Sequence, residues 1–157
     1  MAFREVIGQD QIRLAVIDRE GKDGHADCYE KGSQIKMSNL TVYGSDEAEA
    51  QIRQTQLEGW YIEDGWLRRK YTTDGWKTTM MLVNAIGFIC EAADHHADLS
   101  VSWGKVWVKL KTHSLGGLTD KDFALATKIE EVALWRPSPV SPLQGTKSGF
   151  VKQSKEK

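Results

Sequence analysis

A chain of 157 residues, 40% of them hydrophobic, has room for one ordinary core and not for two comfortable domains. Twenty-one Lys and Arg against twenty-two Asp and Glu leave a formal charge of −1, so composition gives no overall attraction to nucleic acid or acidic membrane. No stretch approaches the ~18 apolar residues of a membrane span, the start lacks a cleavable apolar leader, and two cysteines make no disulfide framework. The expectation is a soluble cytoplasmic protein.

Residues 1–44 read as an N-terminal extension. Ile12–Ile17 and Leu40–Tyr43 suit short strands, with a turn at Gly21-Lys22-Asp23-Gly24 that lacks the spacing of a phosphate loop. His25-Ala26-Asp27-Cys28 offers metal-type side chains without the further ligands a site needs. From Ser45 the pattern sharpens. Ser45 suits a helix N-cap, Asp46, Glu47 and Glu49 favour the positive end of the helix dipole, and Ala48, Ile52 and Thr55 share a face up to about Gln56. Trp60–Ile62 and Trp66–Tyr71 flank Glu63-Asp64-Gly65, a strong hairpin signal.

A long helix is expected from about Asp74, with Trp76, Met80, Val83, Ile86 or Gly87, and Cys90 forming an apolar stripe. Leu99–Trp103 and Val106–Thr112 follow as two strands joined at Gly104-Lys105. In the second, Val106, Val108 and Leu110 alternate with Trp107, Lys109 and Lys111, the period of a half-exposed strand. Thr119 and Asp122 make a capping box that opens a last helix, with Phe123, Ala126, Ile129 and Ala133 at helical spacing to about Leu134. Pro137, Pro139 and Pro142 forbid its continuation. Residues 137–157, ending in a lysine-rich stretch, read as a mobile tail.

The order helix, strand, strand, helix, strand, strand, helix over residues 45–136 gives an α+β class: a four-stranded antiparallel sheet covered on one face by helices. The other face stays open. Trp103 and Trp107 are expected toward it or toward an edge, and exposed aromatics of that kind lead us to expect a homo-oligomer.

Three of the four histidines, His95, His96 and His113, fall within nineteen residues. Histidine exchanges protons near neutral pH, so the cluster points to acid/base chemistry, to a metal site built from Glu91, His95 and His113, or to three solvated surface rings. Glu91 and His95, four apart, share a helix face, whereas His96 lies about 100° around it. For both histidines to line one pocket, the chain must leave helical geometry beside them. His113 ends a strand just before Ser114-Leu115-Gly116-Gly117, a loop able to approach a ligand closely.

These residues resemble the pterin-4a-carbinolamine dehydratases. The resemblance rests on Glu91-x3-His95-His96-x-Asp98, the aromatic Trp103, and Thr112-His113-x2-Gly116-Gly117-Leu118-Thr119-x2-Asp122, with Gly59-Trp60 and Arg69-x-Tyr71 upstream. It covers about residues 45–134. It implies the same α-β-β-α-β-β-α order, a homodimer or homotetramer, and dehydration of 4a-hydroxytetrahydrobiopterin to the quinonoid dihydropterin with no metal or other cofactor, recycling a tetrahydropterin. By that resemblance His113 is the acid and His95 or His96 the base. Glu91 orients His95 or binds the amino-pyrimidine edge, and Asp94, Lys111, Thr112 and Ser114 line the pocket. Asp122 either caps its helix or orients His113. Ala97 stands where the family usually has proline, which would stop the helix and set the geometry of the histidine pair. The alternative is a non-catalytic binding or assembly factor of the same fold, for example for a carbon-fixing enzyme.

Overall fold

Seven elements follow one another in the expected order in the computed structural model, which describes residues 40–146 and 149–152. They are α1 (Ser45–Gln54), β1 (Trp60–Glu63), β2 (Trp66–Thr73), α2 (Trp76–Ala93), β3 (Asp98–Ser102), β4 (Lys105–Leu110) and α3 (Asp120–Ala133), with a 3-10 turn at His113–Leu115 and a short β5 (Val151–Lys152). The strands run antiparallel in the order β1-β2-β4-β3, and β5 adds to β2 through Thr72–Lys152 and Thr73–Val151. Among the described residues no helix is long and apolar enough to cross a membrane. The strand expected at Ile12–Ile17, the turn at 21–24 and the His25–Cys28 segment lie outside the described residues.

Register explains which face is buried. Leu67, Tyr71, Val106, Val108 and Leu110 are fully covered by α2 and α3, whereas Arg68, Lys70, Trp107 and Lys109 alternate onto the open face. Each apolar side chain buried there contributes on the order of 1.5–3 kcal/mol. From the helices, Leu82, Ile86 and Ile89 of α2 and Phe123, Ala126, Ile129 and Ala133 of α3 complete the core. Trp103 sits in the β3–β4 turn, 74% exposed, and Trp107 lies half-buried on the open face, 5.7 Å beneath the Lys70 ammonium.

A polar knot ties α3 to the sheet. Glu130 accepts from Trp60 Nε1 at 2.9 Å, from Arg69 Nη2 at 3.1 Å and from Tyr71 Oη at 2.5 Å. Arg69 Nη1 also donates to the carbonyl of Gly59 at 3.2 Å. Gly59 has φ +78°, and a Cβ there would fall 2.0 Å from Arg69 Nη1, so both backbone and space demand glycine. Burial, with Glu130 beside it, pushes the Tyr71 hydroxyl far above the ordinary phenol range.

Four expectations change. Residues 40–44 form no strand; Tyr43 makes one backbone bond, to Leu118 O at 2.9 Å. Gly44, not Ser45, caps α1, with Glu47 Oε2 accepting from its N–H at 2.9 Å. The stripe of α2 is rotated: Thr78, Thr79, Leu82, Ile86, Ile89 and Cys90 are buried, while Trp76 is 46% exposed. Thr79 occupies a core position because its hydroxyl lies 2.7 Å from Thr73 Oγ1 and donates to Gly75 O. Finally, Val151 and Lys152, placed in a mobile tail by composition, pair with β2, and Val151 is buried.

Candidate active site

The histidine pair owes its position to the end of α2. Asp94 adopts left-handed backbone angles (φ 47°, ψ 41°), and the N–H of His95 closes on Cys90 O at 3.2 Å. Such a residue stops a helix by satisfying its last carbonyls. His95 and His96 therefore leave helical geometry, as a shared pocket requires. The stop comes three residues before Ala97, so a proline at that position is not what ends this helix.

His95 is held from behind. Its Nε2 lies 2.8 Å from Oδ1 of Asp122, a fully buried carboxylate in the first turn of α3. The other oxygen of Asp122 accepts from Thr112 Oγ1 at 2.7 Å and from the Thr119 backbone N–H at 2.8 Å. This buried charge is thus satisfied on both oxygens. With Nε2 donating to Asp122, the neutral His95 ring carries its lone pair on Nδ1. Asp122 caps α3 as expected, and the ring it orients is His95, not His113.

His96 and Glu91 form an exposed pair, Nε2 to Oε2 at 3.1 Å, so Glu91 neither orients His95 nor lines the cleft. His113 opens the 3-10 turn and presents its ring edge-on to Trp66, with centroids 5.4 Å apart. The backbone bond from Thr112 N to Gly117 O, at 3.0 Å, closes this loop. Gly117 is used for packing: a Cβ there would come within 2.2 Å of Val42 Cγ1.

One cleft of about 290 Å³ receives His95, His96 and His113 together with Asp94, Lys111, Thr112 and Ser114. Asp98 and Lys121 complete its lining. Lys121 carries no signal of its own in the sequence beyond adjoining Asp122 in the capping turn. Trp66, which supports His113 and carries the Lys111 ammonium 5.6 Å from its ring, shows in the sequence only as a strand residue. Among the described residues no three His, Cys, Asp or Glu side chains are grouped to hold a metal ion. The set Glu91, His95 and His113 is not assembled, since Glu91 turns to His96 and His95 to Asp122.

Comparison with known proteins bears on this cleft. The sequence model of the family described as Pterin 4 alpha carbinolamine dehydratase matches residues 43–132. A protein of Aquifex aeolicus, provisionally named a pterin-4-alpha-carbinolamine dehydratase, is 44% identical over 86 residues, 55% of this chain and 87% of its own length. A protein of Roseiflexus sp. (strain RS-1) with the same provisional name is 38% identical over 86 residues, 55% of this chain and 92% of its own. Among solved structures, a transcriptional coactivator/pterin dehydratase from Brucella melitensis shares the fold at a TM-score of 0.55, with 24% identity over 59% of this chain and 98% of that one.

Proposed function

The chain belongs to the pterin-4a-carbinolamine dehydratase family, a family named for a hydro-lyase, and from that premise we propose that it dehydrates pterin-4a-carbinolamine to the quinonoid dihydropterin, recycling a tetrahydropterin. The observation that carries the reading is the meeting of imidazoles from the end of α2 and the end of β4 in one cleft. The reaction breaks the C4a–O bond, removes the N5 proton and forms the C4a–N5 double bond, releasing water. It needs an acid at the departing oxygen and a base at N5, each worth about 10²–10⁴-fold.

His113, which pairs with no carboxylate among the described residues, protonates the leaving hydroxyl. His95 takes the N5 proton on Nδ1, and Asp122 stabilises the imidazolium that forms. His96, Lys111 and Lys121 position the pterin from the rim. No metal enters these steps. We further propose a homo-oligomer, on the strength of the exposed Trp103 and the open face around Trp107.

The test is formation of quinonoid dihydropterin followed by absorbance. Catalysis well above spontaneous dehydration supports the proposal; a rate equal to the spontaneous one favours instead a binding or assembly factor of the same fold.

A further inference from the structure

A second hollow lies well away from the histidines. The first half of α2, the end of α3 and the segment that follows it enclose a cavity of about 430 Å³. Leu82, in its wall, precedes the last residue of α2, Ala93, by eleven residues, roughly 16 Å at the helical rise, and His95 lies beyond that end. Met81, Leu82 and Ala85 of α2 form one side, with Val132, Trp135 and Phe150 opposite. The family match ends at residue 132, so Trp135 and Phe150 belong to the part of the chain beyond it. That part is anchored: Val151 pairs with Thr73, and the Asp74 N–H donates to Phe150 O at 3.3 Å.

Among the described residues Arg136 is the one charged side chain lining this cavity. It is exposed, donates from Nη1 to Trp135 O at 2.6 Å and lies 5.9 Å from the Phe150 ring centroid. Among the described residues it makes no ion pair. The size falls in the range of small-molecule sites, which are mostly apolar with a few placed polar groups. A guanidinium fork matches a carboxylate two bonds at a time.

We infer that this cavity binds an amphipathic monocarboxylate, its apolar tail against Met81, Leu82, Ala85 and Val132 and its carboxylate on Arg136. The site is separate from the dehydratase cleft and does not depend on it.

Calorimetric titration of the full chain with decanoate, decan-1-ol and decylamine tests the inference. Decanoate should saturate one site per chain, the alcohol should bind about tenfold more weakly, and the amine should not saturate. Arg136→Gln should bring decanoate down about tenfold, to the level of the alcohol, and leave the alcohol unchanged. Ala85→Trp, which fills the cavity, should remove both; if that variant does not fold, the exposed Arg136→Gln carries the test alone. Equal decanoate affinity in Arg136→Gln and the parent chain overturns the inference. So does binding that survives Ala85→Trp but is lost in His113→Ala, which places the ligand in the histidine cleft. Absence of saturable decanoate binding to the folded full chain overturns it as well.

Discussion

His95 and Asp122, twenty-seven residues apart, meet at 2.8 Å, and this contact joins the end of α2 to the start of α3. One carboxylate therefore sets the tautomer of a ring in the cleft and caps a helix. Asp122→Asn keeps the shape and replaces one acceptor with a donor, which cannot accept the His95 N–H. We expect kcat to fall by about 10²-fold or more with KM changed far less, because the proposed base rather than substrate binding is lost. Stability should fall by about 1–3 kcal/mol, since the Thr112 and Thr119 donors lose their charged acceptor. A drop in melting temperature with kcat intact would leave Asp122 a cap only.

His113 and Glu91 should behave oppositely to their equal standing in the sequence motif. His113→Ala removes the proposed acid from an exposed position and should cost at least about 10²-fold in kcat with stability within about 0.5 kcal/mol of the parent. Glu91→Gln touches only an exposed partner of His96, and we expect kcat/KM to change by less than about threefold. Steady-state kinetics beside thermal melts of both variants decide the matter. A large loss in Glu91→Gln would put that carboxylate on the substrate.

Gly59→Ala places a methyl group where Arg69 Nη1 lies 2.0 Å away, on a backbone at φ +78°. Arg69 must then leave Glu130, exposing a buried guanidinium and a half-buried carboxylate to imperfect pairing. A destabilisation of about 3–5 kcal/mol is expected by denaturant melting. A change under about 1 kcal/mol would mean that the knot around Glu130 does not hold α3 to the sheet.

Cys90 is 4% exposed, and burial raises its thiol above the ordinary value. The sign follows: at any pH below the folded pKa the native chain holds less thiolate than an unfolded one. The neutral thiol stabilises the fold fully below the unfolded pKa, and that contribution is lost as pH rises through the folded value. In a Cys28→Ser background, alkylation at pH 8 should run about 10²-fold slower in the native than in the denatured chain. Equal rates would show the α2 core open to reagent.

The order of elements was legible because apolar alternation, the Asp64-Gly65 turn and the Thr119–Asp122 capping box are local signals, and the structure keeps all three. Partners of the charged groups were not legible. Whether Glu91 faces His95 depends on one left-handed residue, Asp94, and whether Asp122 meets His95 or His113 depends on how two helix ends pack across the chain. The stripe of α2 is not legible from hydropathy because Thr79 is buried through its hydrogen bonds, which hydropathy does not register. Strand β5 is too short to leave a period.

Imidazole ¹H–¹⁵N correlation spectra, assigned through single histidine-to-glutamine variants and titrated with 7,8-dihydrobiopterin, test most directly whether one pterin meets rings from both segments. The account predicts saturable shifts of both His95 and His113 at a common dissociation constant. Rings that stay unperturbed while the pterin binds elsewhere, or that respond at unrelated concentrations, would contradict it.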